Sequence, residues 1–189
     1  MEKPVIIVSG LPRSGTSMMM NMLQAGGLPI LTDNIRTADE DNPKGYYEFE
    51  QVKQIEQDPT WLEHAQGHVV KMISALLKHL PADYHYKIIF MRRKVEEVLA
   101  SQRQMLIRRN EPTDTVADDK MADLYRRHLQ QVEAWLAKQP NIDVLYVTYH
   151  QVVANPREHA EQINAFLGCI LDVDAMAASV DQMLYRQRA

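Results

Sequence analysis

The feature that most constrains this chain lies near its start, where Val5-Ile6-Ile7-Val8-Ser9 runs into Gly10-Leu11-Pro12-Arg13-Ser14-Gly15 and then Thr16–Ala25. A short β-branched run with no polar alternation reads as a strand buried on both faces, as in a parallel sheet. Pro12 and the two glycines make the next stretch a loop. Met and Leu then recur along a helix that Gly26-Gly27 stops. Gly10 and Gly15 have the G-x-x-x-x-G spacing of a phosphate-cradling loop, and glycine allows the backbone angles that turn successive N–H groups inward. The helix start adds unpaired N–H donors and the positive end of a dipole. A nucleotide triphosphatase places Lys after the second glycine; here that residue is Thr16, and the cation is Arg13 inside the loop. A guanidinium grips oxyanions through two parallel hydrogen bonds and keeps its charge, so the loop still suits an anion.

The rest of the chain alternates in kind. Strands are expected at His68–Ile73, Tyr86–Met91 and Asp143–Tyr149, and helices at Phe49–Gln57, Lys94–Arg108, Val116–Lys138 and Pro156–Leu167. Leu31–Tyr47 is polar, turn-rich and longer than most connections, which marks a functional loop. This order predicts an α/β fold in three layers, a central mostly parallel sheet with helices on both faces. No repeat or linker interrupts the 189 residues, so one domain spans 1–189. With 46% hydrophobic and 24% charged residues, the chain resembles soluble globular proteins and needs no staple. Cys169, the single cysteine, excludes an internal disulfide. No apolar run approaches the ~20 residues of a membrane span. The opening Met-Glu-Lys lacks signal-peptide character, so a cytoplasmic protein with no membrane partner is expected.

A net charge of -4 argues against nucleic acid as a partner. The charge is uneven, however. Lys87, Arg92, Arg93, Lys94, Arg103, Arg108 and Arg109 face only Glu96 and Glu97 between positions 87 and 109, whereas 33–50 is acidic. A local basic patch on an acidic protein suits a small anionic ligand. The strand ending in Arg92-Arg93 carries no acid to hold Mg²⁺, which disfavours metal-assisted phosphoryl transfer. Arg93 falls at a strand's C-terminal end, where ligands of open parallel sheets gather. Ser101 falls about two turns into the next helix, roughly 10 Å along it, so the two can converge on one phosphate. His64 and His68 at helical spacing have no third metal ligand and read as surface or structural; Met18–Met22 reads as core, and Trp61 and Trp135 as core or partner contacts.

These residues resemble a known family. Pro12-Arg13-Ser14-Gly15-Thr16-Ser17 is similar to the 5′-phosphosulfate loop of sulfotransferases that use 3′-phosphoadenosine-5′-phosphosulfate (PAPS), closest to the P-R-S-G-T-T form of tyrosylprotein sulfotransferases and bacterial relatives. Arg93, Glu97, Val98 and Ser101 fall in the register of the family's 3′-phosphate segment, R-x-x-x-D-V-x-x-S, after a strand. Tyr149, Pro156 and Phe166-Leu167-Gly168 resemble a later Y-E-x-L-x-x-x-P…FLG stretch. The resemblance implies a P-loop-type fold and transfer of a sulfuryl group from PAPS to a hydroxyl or amine on a small-molecule or peptide acceptor, without metal. Arg13, Ser14, Gly15, Thr16, Ser17, Arg93 and Ser101 would bind the donor.

The implied catalytic residues are Lys71, Asp33 and Arg13. Lys71 keeps the Lys of the K-T-H-L-P segment of cytosolic members, but Ile73 stands where that segment has its basic His. Counted from Arg13, the catalytic Glu of tyrosylprotein sulfotransferases falls on Asn34, the acid before it on Asp33, and a nearby Arg on Arg36. Asp33 is the leading base and Glu48 the next. The cytosolic R-K-G-x-x-G closing loop has no counterpart beyond Arg186 and Arg188. A chain this short leaves room for a partner subunit at the acceptor pocket, hence a possible homodimer. A P-loop kinase or NTPase, and a nucleotide-binding module without turnover, are the alternatives.

Overall fold

A computed structural model describes residues 3–33, 45–113, 117–168 and 170–181. Four strands, β1 (Val5–Gly10), β2 (Val69–Ile73), β3 (Tyr86–Arg92) and β4 (Ile142–Thr148), form one sheet in the order β2-β1-β3-β4. All three pairings are parallel. The described helices are α1 (Thr16–Ala25), α2 (Leu62–Ala65), α3 (Val95–Arg108), α4 (Asp118–Leu136), α5 (Tyr149–Ala154), α6 (Pro156–Leu167) and α7 (Val173–Ala178). Parallel strands need crossovers, and these helices, with a 3₁₀ helix at Ser74–His79 between β2 and β3, supply them, which gives the expected three-layer α/β architecture.

The side-chain period of two splits β1 between two cores. Ile6 and Val8 face one, built from α1, α5, α6 and α7, with Met19, Met20, Leu23, Val152, Ile163 and Met176. Val5 and Ile7 face the other, with Trp61 and Leu62 near α2, Phe90 of β3 and Leu136 at the end of α4. Every residue of β1 is buried, as its unbroken apolar run requires. α6 starts on Pro156 and ends on Gly168 at φ 112°, the arrangement that suits a residue without an N–H and one without a Cβ.

The connections diverge from the middle of the sheet. From β1 the chain passes through α1 to β2 on one side; from β3 it passes through α3 and α4 to β4 on the other. The crevice between β1 and β3 is therefore the topological switch point, the place where α/β sheets bind ligands at their C-terminal edge.

Several expected elements differ in detail. Phe49–Gln57 was expected to be an α-helix, yet Glu50–Gln54 forms a short 3₁₀ helix. Val52 and Ile55 are its buried anchors, and a spacing of three suits the tighter helix. β4 stops at Thr148, and Tyr149 opens α5 rather than ending the strand. α2, α5, α7 and the 3₁₀ helix Ser74–His79 are four to six residues long, too short to show a helical period. Of the histidine pair considered as metal ligands, His64 lies in α2 and His68 outside it, with its Nδ1 near the Gln66 carbonyl at 3.1 Å. Among the described residues no group of three His, Cys, Asp or Glu side chains is placed to hold a metal ion. None of the described helices is long and apolar enough to cross a membrane.

Two predictions come from this packing. Phe90 is fully buried and Ile73 is 46% exposed at the end of β2. Phe90→Ala should cost about 3–5 kcal/mol in denaturant unfolding, whereas Ile73→Ala should stay within about 0.5 kcal/mol. The second concerns α4, whose His128 Nε2 lies 2.8 Å from the buried Ser74 Oγ just beyond β2. Burial lowers the pKa of His128 below its ordinary value. The unfolded chain therefore binds the extra proton first, and this contribution to stability is lost as pH falls below about 6.5. Unfolding midpoints measured from pH 8 to 5 should fall less steeply in His128→Gln than in the unchanged protein.

Candidate anion-binding site

The loop between β1 and α1 is held open by its glycines. Gly15 precedes α1 at φ 99° and offers no side chain to cap it, so the first-turn N–H groups emerge at the sheet's C-terminal edge. A Cβ on Gly15 would sit 2.3 Å from Cδ2 of Tyr149, so only glycine permits this approach. Arg13 also has a positive φ, 68°, and the Ser14 N–H closes the turn on the Leu11 carbonyl at 3.2 Å. Ser14 Oγ is buried without a hydrogen-bond partner. A buried hydroxyl left without a partner is costly, and a bound phosphate or sulfate oxygen would satisfy it. The loop thus fits an anion by the helix start it leads into, its hydroxyls and its lack of side-chain bulk.

Cations flank the loop from both neighbouring strands, because β1 lies between β2 and β3. From β2, Lys71 Nζ donates to Ser17 Oγ at 3.1 Å and to the Tyr46 carbonyl at 2.7 Å. From the end of β3, Arg93 donates through Nη1 to the Arg13 carbonyl at 3.1 Å and through Nε to Glu97 at 2.9 Å. Its guanidinium carbon lies 4.6 Å from the centre of the Tyr149 ring. Arg13 itself reaches across to α3, where its Nε donates to Ser101 Oγ at 3.0 Å. The loop cation, Arg93 and Ser101 are therefore gathered in one place, and Ser101 meets Arg13 directly. Burial raises the Tyr149 pKa, with the Arg93 and Arg13 charges opposing and Glu97 and Asp181 reinforcing it.

The proposed bases lie on the β2 side of this site. Residue Ile30 bridges to Val69 beside β2, and Leu31 donates to the Val69 carbonyl at 2.8 Å. Asp33 follows on this strip; its N–H donates to the Glu48 carbonyl at 3.3 Å, and its carboxylate accepts from the Glu50 N–H at 2.6 Å. Asp33 and Glu48 are thus neighbours, two residues along from the Tyr46 carbonyl that Lys71 holds. The Asp33 carboxylate is tied to the backbone, which fixes its position. Nearby Lys53 has its pKa raised chiefly by its bond to Glu50, with Glu48 and Asp33 adding to it and desolvation opposing. Asn34, Arg36, Arg186 and Arg188 lie outside the described residues.

Two residues of this site escape a reading by motif alone. Tyr149 marks the later family-like stretch, but nothing in the sequence places its ring against Gly15. Glu97 fits the register of the Arg93 segment, but not as a carboxylate buried with only 2% of its side chain exposed. An acid four residues after an Arg at a helix start is the one signal of that pairing.

Comparison with known proteins bears on the whole arrangement. A family model described as the sulfotransferase family matches residues 33–172, which includes Arg93 and Ser101 and begins after the glycine loop. No curated protein matches the chain. Among solved structures, a sulfotransferase of Mycobacterium tuberculosis aligns with a TM-score of 0.62 at 19% identity, over 94% of this chain and 70% of its own. A mouse sulfotransferase complexed with PAP aligns at 0.56 and 17% identity, over 93% of this chain and 61% of its own. The sulfotransferase domain from the curacin biosynthetic pathway aligns at 0.56 and 16% identity, over 96% and 89% of the two chains. These likenesses carry the fold; the family match, which spans well over half of the sequence, carries the membership, and this chain belongs to the sulfotransferase family.

Proposed function

We propose that this protein transfers the sulfuryl group of PAPS to a hydroxyl or amine acceptor. The observation that carries the reading is the convergence of the glycine loop, Arg13, Arg93 and Ser101 at the switch point of the sheet. The α1 N-terminus with Ser14, Gly15, Thr16 and Ser17 would take the 5′-phosphosulfate. Arg93 and Ser101 would take the 3′-phosphate, with Arg13 between the two subsites. The mouse relative complexed with PAP supports a bisphosphorylated adenosine in a fold of this kind. A kinase reading fares worse, since Thr16 replaces the phosphate-loop Lys and β3 ends in Arg92 rather than an Mg²⁺-binding acid.

In the reaction the acceptor oxygen or nitrogen attacks sulfur, and the bond from sulfur to the bridging phosphate oxygen breaks. Negative charge gathers on that oxygen as 3′,5′-bisphosphate leaves, and a cation placed there lowers the barrier. Lys71, bonded to Ser17 beside the loop, fills this role. The acceptor proton goes to a carboxylate; Asp33 is the first candidate and Glu48 the second. The protein acts without a metal in this scheme, in the cytoplasm, on a small-molecule or peptide acceptor, with a second copy completing the acceptor pocket.

The test is calorimetric titration with adenosine 3′,5′-bisphosphate, with AMP, and with ATP plus Mg²⁺. The bisphosphate should bind best, and at 100 times its Kd it should stabilise the fold by about 2.7 kcal/mol. Ser101→Ala should narrow the preference for the bisphosphate over AMP, and Gly15→Ala should abolish binding of both. Lys71→Ala should bind the bisphosphate nearly as well while turnover of PAPS with an accepted substrate falls by about a hundredfold. Preference for ATP plus Mg²⁺ would overturn the donor assignment.

A further inference from the structure

Glu97 is the charged group in this site that the transfer chemistry leaves without a task. A carboxylate close to an anion-binding loop repels the ligand, and burying it costs desolvation energy. Its side chain is nevertheless 2% exposed, and that of its partner Arg93 8%. Two physical features offset the cost. Glu97 lies in the first turn of α3, where a negative charge meets the positive end of the helix dipole. It also accepts the Nε–H of Arg93 at 2.9 Å, a charge-assisted bond.

What Arg93 does with its fixed position shows the use of the pair. The same guanidinium donates from Nη1 to the Arg13 carbonyl, at a residue whose φ of 68° is unfavourable for a side chain other than glycine. One of its faces stacks on Tyr149, and Tyr149 in turn fills the space a side chain at Gly15 would occupy. The contacts close a circuit from Glu97 through Arg93 to Arg13, and from Arg93 through Tyr149 to Gly15. Both positive-φ residues at the centre of the loop are thereby held from outside it.

We propose that Glu97 is a positioning residue of the anion site: its buried carboxylate fixes Arg93, and Arg93 with Tyr149 holds the phosphate loop in its binding conformation. Glu97 itself does not contact the ligand. The inference rests on the donor-site reading above for its ligand, and it adds a dependence of the 5′ subsite on a residue of the 3′ segment.

The experiment compares the unchanged protein, Glu97→Gln, Glu97→Asp and Arg93→Lys. Calorimetry measures affinity for adenosine 3′,5′-bisphosphate and for AMP, and hydrogen exchange follows residues 10–17 without ligand. Glu97→Gln should weaken both ligands by about tenfold or more, because loss of the charge frees Arg93 from its place. Loop amides should exchange faster in that variant while the strand amides stay protected, and Glu97→Asp should recover most of both properties. Arg93→Lys keeps a charge partner but loses the fork that reaches the Arg13 carbonyl, and it should loosen the loop even if Glu97→Gln does not fold. Unchanged loop exchange, with bisphosphate binding equal to or tighter than that of the unchanged protein, would overturn the proposal; Glu97 would then only compete with phosphate for Arg93. If the unchanged protein ignores the bisphosphate, the donor reading fails, and the ligand-free exchange still decides the role of Glu97.

Discussion

Everything at the C-terminal rim depends on β1 being paired on both sides in parallel, with β2 along one edge and β3 along the other. That pairing buries all six residues of β1 and leaves its carboxyl end as the only exit, so the loop must turn sharply at Gly10. A Cβ there would lie 2.7 Å from the Met91 carbonyl on β3, which is why the turn needs glycine. The same pairing sets Lys71 and Arg93 on opposite flanks of the loop without either belonging to it. A sheet with β1 at its edge would have supplied one flank only.

The site spends stability on organisation. Ser14 Oγ is buried without a partner, Arg13 is held at positive φ, and an Arg–Glu pair is almost fully withdrawn from water. Each is unfavourable when counted alone. The two cores on either side of the sheet provide the excess that tolerates them, and they are apolar with few interruptions. Trp61 Nε1 is a further buried group without a partner, in the core near α2, but at the mouth of the sheet three such costs fall together, which is the pattern of a preorganised binding site.

Much of this was legible in the amino-acid sequence, for a physical reason. Parallel strands covered on both faces are largely apolar, so Val5–Ser9 and Tyr86–Met91 stand out, each one residue short of the strand observed, and α1 starts and stops where Gly15 and Gly26 say it should. That uniformity also hides information: a strand apolar on every residue does not say which side chain meets which core. The short helices were not legible, because a segment such as Tyr149–Ala154 is too brief for a period and follows β4 with no glycine or proline between. At the site, the loop residues and Arg93 with Ser101 were marked by motif and spacing. The contacts among them were not, since Arg13 with Ser101, Arg93 with the Arg13 carbonyl and Tyr149 with Gly15 all join residues far apart in the chain.

The substitution of Arg13 for the usual phosphate-loop lysine has a consequence for how the site reads its ligand. A lysine at the helix start is a point charge that serves one phosphate group. Arg13, placed inside the loop, has the length and the fork to reach α3, and its bond to Ser101 joins the element expected to hold one end of the nucleotide to the element expected to hold the other. A ligand with anionic groups at both ends satisfies both elements at once, and its second group then binds at the high effective concentration of an intramolecular contact. A ligand with a single anionic end leaves part of this arrangement facing water. On the donor reading proposed above, selectivity for a doubly anionic nucleotide would follow from a cation shared between two subsites, without any contact that reads the base.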